Sequence, residues 1–258
     1  MLFNSLDYFL FLSLAIAGYW SLLRFNLLRV AFVFLASCLF YMAWNPAYIV
    51  LILGSTVLDY FMGLKIHEAK ADHIRKRWLR ISLAGNLGLL GTFKYFNFFS
   101  TASKDILGLL GWTVEVPHLD VLLPVGISFY TFQTMSYTID IYRRKLEPTR
   151  NFFKFAFYVT FFPQLVAGPI ERAVNLLPQF KIKREFSYEQ GADGMRLILW
   201  GLFKKVVIAD NLALYANPFF NFAGSGFTLN FFDAWVGALI YTFQIYFDFS
   251  GYTDMALG

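Results

Sequence analysis

The segment AYIVLILGSTVLDYFMGL, residues 47–64, carries a single charged side chain, Asp59. A helix needs about 20 mostly apolar residues to cross the hydrocarbon core of a bilayer. The other stretches of similar character are 8–23, 27–44, 79–99, 119–142, 151–170, 196–222 and 231–250. The pattern predicts an all-α, polytopic membrane protein. No internal repeat or Ser/Gly linker divides residues 1–258, so we expect one membrane domain.

The composition of the 258 residues agrees with a membrane protein. Hydrophobic residues make up 58% and charged residues 15%, whereas soluble domains carry about 25% charged residues. This balance excludes an aqueous globular fold, and it also excludes disorder, which requires low hydrophobicity. The net charge of +5 fits basic loops on the cytoplasmic side of a bilayer, so we expect no nucleic-acid partner.

The basic residues cluster between the apolar stretches. Six lie in 65–80, five in 143–154 and five in 172–196, while the loop around Asn45 has none. If every stretch crossed the bilayer, the second and third clusters would face opposite sides. The positive-inside rule opposes that arrangement.

The conflict disappears if residues 151–170 enter and leave the membrane on the same side. This stretch contains Pro163, Gly168 and Pro169, which interrupt helices. Broken backbone at membrane depth survives only when protein or a wet cavity surrounds it. We therefore predict a re-entrant segment that opens to the cytoplasm, with the N-terminus outside.

Charged groups inside apolar stretches are functional candidates because each costs about 2.5–3.5 kcal/mol at the centre of a helix. We expect Asp59 to be an interfacial charge and Lys94 to extend toward the membrane surface. Lys204, Lys205 and Asp210 either face the helix bundle or mark a segment that lies in the interface. The sequence leaves these two alternatives open.

Hydroxyl and amide side chains are dense in 123–144, LPVGISFYTFQTMSYTIDIYRR. They either join helices by hydrogen bonds or line a polar tunnel. A second dense region is QIYFDFSGYTD at 244–254. Its carboxylates, Asp248 and Asp254, do not share a helix face, but a helix break at Gly251 would let both line one cavity.

Several kinds of site lack sequence support. Cys38 is the single cysteine, so it forms no internal disulfide. His67, His73 and His118 have no metal-binding spacing, and no nucleotide-binding glycine motif or G-x-S-x-G elbow is present. We expect no metal and no bound cofactor.

Four runs in order resemble the membrane-bound O-acyltransferase family, nearest to its alginate O-acetyltransferase AlgI-like branch. They are LPVGISFYTFQ (123–133), FPQLVAGPIER (162–172), GLFKKVVIADNLA (201–213) and QIYFDFSGYTDMALG (244–258). The opening MLFNSLDYFLF and KYFNFF at 94–99 fit the same branch.

The resemblance implies a ring of transmembrane helices with re-entrant pieces in the bacterial inner membrane. It implies transfer of an acetyl or acyl group from a cytoplasmic thioester donor, acetyl-CoA or an acyl carrier, to hydroxyls of an exported polysaccharide. The expected partners are membrane lipid and periplasmic acetyltransferase-like proteins. The family's catalytic histidine lies downstream of the last run, so we expect it beyond Gly258, with this chain an N-terminal half that is inactive alone.

Within the chain, the resemblance and the local chemistry suggest supporting roles only. The residues expected to contact the donor, the tunnel or the acceptor site are Gln133, Gln164, Gly168, Pro169, Arg172, Asp248, Ser250, Tyr252 and Asp254. Three alternatives stay open: D-alanyl transfer to teichoic acid, an amphiphile transporter, and a non-catalytic membrane scaffold.

Overall fold

The computed structural model describes residues 3–112, 115, 117–119, 123–165, 168, 171–179, 185–225 and 230–258. Within these residues the chain is helical and contains no strand, which confirms the all-α prediction. The helices are α1 Leu6–Ser21, α2 Asn26–Met42, α3 Ile49–Glu68, α4 Asp72–Leu90, α5 Phe96–Leu109, α6 Ile127–Tyr142, α7 Phe152–Thr160, α8 Phe162–Leu165, α9 Ala173–Gln179, α10 Tyr188–Leu202, α11 Asp210–Gly224 and α12 Phe231–Leu257. Two π-helices join neighbouring elements, Gly91–Tyr95 between α4 and α5 and Phe203–Ala209 between α10 and α11.

Short polar side chains set the starts of four helices. The first helical N–H groups lack partners within the helix, and a side-chain oxygen at the preceding residue can accept from one of them. Ser5 accepts from the third residue of α1 in this way, Asn151 caps α7, Ser187 caps α10 and Asn230 caps α12. These caps place the helix starts after polar linkers.

The continuous helix over Pro46–Glu68, a 3₁₀ turn followed by α3, is long and apolar enough to cross a bilayer. Of the helices in the described part of the chain it alone meets both criteria, while Leu6–Ser21 and Asn26–Met42 are apolar but shorter. Within the predicted stretch 119–142, α6 begins at Ile127, after Gly126 in a left-handed conformation. The geometry therefore supports the multi-pass prediction only weakly.

The chain divides into two compact units. Unit 1 comprises Met1–Arg24, Ala167–Pro169 and Lys183–Gly258, and unit 2 comprises Phe25–Val166 and Ile170–Ile182. Unit 2 has a core in which aromatic rings from α6 and α7 pack together, with the Tyr137 and Phe155 centroids 4.3 Å apart. In unit 1, Phe3 stacks on Tyr8 at 4.7 Å. The expectation of one membrane domain stays a prediction.

The predicted re-entrant stretch contains a broken helix. α7 ends at Thr160, Phe161 is non-helical, and α8 begins at Phe162. Pro163 lies in the first turn of α8, where a missing N–H costs little. Nine residues of α7 span roughly 14 Å, about half the hydrocarbon thickness, and residues 155–160 are buried. A short, protein-enclosed helix supports the re-entrant reading, while its side of the membrane stays a prediction.

Candidate functional site

Two lysines and three aspartates form the first candidate site, which we call the lysine–aspartate cluster: Lys204, Lys205, Asp210, Asp248 and Asp254. The Lys204 Nζ lies 2.6 Å from Asp254 Oδ2. The Lys205 Nζ lies 2.5 Å from Asp248 Oδ1 and 2.8 Å from Asp210 Oδ1. Each lysine therefore neutralises its own carboxylate on α12. This arrangement selects the bundle-facing alternative for both lysines, whose side chains are 16% exposed.

Helix geometry explains the pairing. Positions six apart on an α-helix, such as Asp248 and Asp254, differ by about 120° around the axis. Consecutive α-helical residues differ by about 100°, and adjacent lysines in a π-helix, which holds more residues in each turn, also diverge, by a somewhat smaller angle. The lysines lie within the π-helix Phe203–Ala209, a rare element that occurs frequently at functional sites.

Ser250 and Tyr252 complete the cluster. The Lys204 ammonium also donates to Ser250 Oγ at 2.9 Å. The Lys205 ammonium lies 5.5 Å from the centre of the Tyr252 ring, within the range of a cation–π contact. All four polar residues predicted on α12 thus contact one of the two lysines. The four residues of α12 and the two lysines together can hold fixed charges and orient a hydroxyl group in apolar surroundings.

The helix break considered at Gly251 does not occur. α12 runs without interruption from Phe231 to Leu257, and the glycine serves close packing instead. A Cβ atom at Gly251 would lie 2.8 Å from the Gly201 carbonyl oxygen, and a Cβ at Gly201 would lie 2.5 Å from the Gly251 oxygen. Small residues let helix backbones approach in this way. The carboxylates reach one cluster because a neighbouring helix supplies two lysines, without any bend in α12.

Gln133 and Gln164 meet in unit 2. The Gln133 Nε2 donates to Gln164 Oε1 at 3.0 Å and to the Tyr158 carbonyl oxygen at 2.9 Å. The Tyr158 hydroxyl donates back to the Gln133 carbonyl at 3.3 Å. These buried contacts tie α6 to the broken α7–α8 segment. They favour the helix-joining role for Gln133, and its predicted contact with donor or tunnel stays a prediction.

Asp59 is fully buried instead of interfacial. The carboxylate accepts from Ser82 Oγ at 2.6 Å and from Asn86 Nδ2 at 2.7 Å. Thr134 donates to Asn86 Oδ1, and Thr138 lies 3.0 Å from Ser82 Oγ. These five residues form a polar network across α3, α4 and α6. In the described part of the chain, Asp59 has no cationic partner within 4 Å, so neutral donors alone satisfy it.

The structure therefore separates the predicted site residues into two groups. Asp248, Ser250, Tyr252 and Asp254 form part of unit 1, whereas Gln133, Gln164 and the exposed Arg172 belong to unit 2. Gly168 is buried, and Pro169 lies outside the described residues.

Sequence reasoning missed Ser82 and Asn86 as partners of Asp59. Their spacing of four residues places both on one face of α4, which is a usable signal. Among the described residues, no group of three or more His, Cys, Asp or Glu side chains is placed to hold a metal ion.

Curated relatives match the chain over its length. A peptidoglycan O-acetyltransferase of Helicobacter pylori is 39% identical over 288 aligned residues, which cover 100% of this chain and 53% of the relative. A probable alginate O-acetylase AlgI of Pseudomonas aeruginosa is 40% identical, covering 100% of this chain and 48% of the relative. A probable alginate O-acetylase AlgI of Azotobacter vinelandii is 43% identical over 97% of this chain and 49% of its own length.

The chain thus spans about half the length of the curated relatives it matches. No family model matches the sequence.

Proposed function

We propose that the chain forms part of a membrane O-acetyltransferase, because its sequence is similar to relatives named as O-acetylases and resembles the AlgI-like branch of the membrane-bound O-acyltransferase family. The complete enzyme would acetylate hydroxyl groups of an exported polysaccharide. The observation that carries this proposal is the identity of 39–43% with relatives named for O-acetylation, over 97–100% of the chain.

The proposed reaction moves an acetyl group from a thioester to an alcohol. The acceptor oxygen bonds to the acetyl carbon, the carbon–sulfur bond breaks, and the hydroxyl proton passes through a general base to the departing thiolate. A histidine suits this base because its pKa lies near the operating pH. On the family resemblance we propose that this histidine lies beyond Gly258, and that the residues of this chain support the chemistry without performing the proton transfer.

We further propose a cytoplasmic thioester donor, acetyl-CoA or an acyl carrier, and a periplasmic acetyltransferase-like partner that delivers the group to the polymer. The location would be the bacterial inner membrane, crossed several times. Supporting observations are the apolar helix over Pro46–Glu68 and the short, enclosed α7. A dry path through protein would exclude water and limit thioester hydrolysis.

The lysine–aspartate cluster supports a role in shaping such a path. Paired charges and Ser250 at 2.9 Å from Lys204 supply fixed dipoles that need little rearrangement during reaction. We propose that Asp248 and Asp254 position the helix segment next to the reaction site, and that Gln133 and Gln164 position the broken α7–α8 segment.

Peptidoglycan is a second candidate acceptor. The Helicobacter pylori relative is named a peptidoglycan O-acetyltransferase, whereas the Pseudomonas and Azotobacter relatives are named for alginate. Both polymers present sugar hydroxyls outside the cytoplasm, so the chemistry is shared and the acceptor differs.

Deleting the gene and measuring base-released acetate from two fractions, exported polysaccharide and purified peptidoglycan, tests the proposal. We expect acetate to fall in one fraction and to return on complementation with the wild-type gene. Complementation with Asp248→Ala should restore less acetate, although the protein reaches the membrane in equal amount. Unchanged acetate in both fractions after deletion would refute the proposed function, and full restoration by Asp248→Ala would remove Asp248 from the site.

A further inference from the structure

The two basic clusters at 65–80 and 143–154 come together in unit 2. The Arg75 side chain crosses from α4 to the end of α6, where its Nη2 donates to the carbonyl oxygens of Tyr142 at 2.6 Å and Ile141 at 3.3 Å. Its Nε donates to the Ile66 carbonyl at 3.2 Å. The clusters therefore lie on the same end of the helices, as the positive-inside rule requires.

A cavity of about 270 Å³ lies at this junction. The residues that line it include the polar Arg75, Arg144, His67 and Glu147 and the apolar Ile141 and Leu146. Its volume is slightly below the range of about 300–1,000 Å³ that holds a drug-sized ligand. The space therefore suits a small anion, or one charged group of a larger molecule.

The charge at the cavity is unbalanced. Carbonyl oxygens satisfy Nε and Nη2 of Arg75 without neutralising its charge, and Nη1 lies 3.9 Å from an exposed Asp72 carboxylate. Within the described ranges, Arg144 has no carboxylate within 4 Å. Glu147 is the single acidic side chain among the lining residues, and Asp72 is not one of them, so the lining itself carries two guanidinium groups and one carboxylate.

Arg144 follows the C-terminus of α6 in a left-handed backbone conformation. Its φ of +59° lies in the left-handed region, which few non-glycine residues adopt. Among the described residues it is the single non-glycine residue with positive φ. The N–H groups of Arg144 and Lys145 donate to the carbonyl oxygens of Ile141 and Asp140 at 3.0 and 2.9 Å, so this conformation closes the C-terminus of α6. Arg144 lines the cavity together with Arg75.

We propose that this cavity binds a phosphate group through Arg75 and Arg144. Guanidinium groups match the geometry of phosphate oxygens and form charge-assisted hydrogen bonds with them. Phosphate groups occur in coenzyme A, in carrier-bound phosphopantetheine and in lipid headgroups. The assignment to the acyl donor rests on the proposed function, whereas phosphate binding itself does not.

The test uses the protein purified in detergent and phosphate-free buffer, with inorganic phosphate and adenosine 3′,5′-bisphosphate as calorimetric probes. Arg144→Gly removes the guanidinium and accommodates the positive φ. We expect it to weaken bisphosphate binding about tenfold. Glu147→Gln removes the opposing charge and should tighten binding by about two- to fivefold. The control is Arg143→Ala, which also removes one positive charge but lies at an exposed position outside the cavity lining. It should change the affinity for bisphosphate by less than about twofold.

Native mass spectrometry forms a second arm, which counts phosphatidylglycerol molecules retained from the membrane. If the wild-type protein retains lipid that the Arg144→Gly variant does not, and bisphosphate binding is weak, the phosphate site is supported and its ligand is a lipid headgroup. Equal binding of bisphosphate and equal lipid retention by wild type, Arg144→Gly and Arg143→Ala would overturn the proposal. If the site fails this test but the gene deletion still lowers polymer acetate, the proposed function stands without the site. If wild-type protein binds bisphosphate but the deletion leaves polymer acetate unchanged, the site stands without the proposed function.

Discussion

At the residue scale, the polar side chains inside apolar helices find partners that lie far along the chain. Asp59 accepts from Ser82, 23 residues away, and Lys204 donates to Asp254, 50 residues away. The sequence identifies such residues because charges are rare in apolar stretches. It does not identify their partners, because helical spacing governs only contacts within one helix. That is why Asp59 was misplaced at the interface.

We expect Asp59→Asn to be tolerated and Asp59→Leu to be costly. With an amide at position 59, the Ser82 hydroxyl can reverse and donate to Thr138, 3.0 Å away, so every member keeps a partner. With leucine, Ser82 can still turn to Thr138 and Asn86 Nδ2 still donates to the Ser82 carbonyl oxygen, but the second Nδ2 hydrogen of Asn86 loses its acceptor, at about 1–3 kcal/mol. Chemical unfolding in mixed micelles measures both variants. Equal loss of stability in the two would contradict the network.

The Lys204–Asp254 pair should show measurable coupling. In a double-mutant cycle with Lys204→Ala and Asp254→Ala we expect a coupling free energy of about 1–3 kcal/mol, because both side chains are less than one-fifth exposed. The Arg196–Asp193 pair is a matched control with a similar separation of 2.7 Å but with side chains 77% and 72% exposed. Its coupling should stay below about 0.5 kcal/mol. Equal coupling energies for the two pairs would mean that burial does not strengthen the Lys204–Asp254 interaction.

At the scale of elements, most predicted apolar stretches contain helices, but their interruptions required the structure. The stretch 231–250 corresponds to α12, and 151–170 contains the broken α7–α8 pair. Sequence periodicity does not distinguish a glycine that breaks a helix from one that lets a neighbouring helix pack closely. The sequence therefore does not reveal that Gly251 has the second role. The π-helices also left no recognisable sequence signal.

Gly251→Ala should destabilise unit 1 by about 1–3 kcal/mol, because the added methyl group meets the Gly201 backbone and the contact must widen. Gly54→Ala is the control: this glycine lies in α3, and a Cβ atom there would meet nothing within 4 Å. We expect the control to be neutral or slightly stabilising, since alanine favours helix. Thermal unfolding in detergent compares the two, and similar melting temperatures would refute the close contact.

At the scale of the whole molecule, composition alone indicated a helical membrane protein, and the clustering of basic residues indicated its orientation. The cavity shared by Arg75 and Arg144 agrees with that orientation for two of the three basic clusters. Two features lay beyond the sequence: the division into two compact units, and the separation of the predicted site residues between them. Both depend on which helices pack together, which apolar composition leaves undetermined.

Cysteine labelling of intact cells tests the orientation. In a Cys38→Ser background, cysteines replacing the exposed residues Lys145 and Glu189 should react only after the inner membrane is made permeable. A cysteine at exposed Ala47, in the loop without basic residues, should react with an impermeant maleimide in spheroplasts. Labelling of position 189 from outside would remove the re-entrant assignment of 151–170.

The π-helix Phe203–Ala209 has a consequence for how this protein tolerates changes in length. A π-turn holds one residue more than an α-turn, so deleting a single residue there would let α10 and α11 join as regular helix. The same deletion in the middle of α12 would rotate every following side chain by about 100°. Natural one-residue deletions in homologous genes should therefore accumulate within 203–209. Homologues that carry such a deletion but keep the residues aligned with Lys204 and Lys205 should also keep the aspartates of α12.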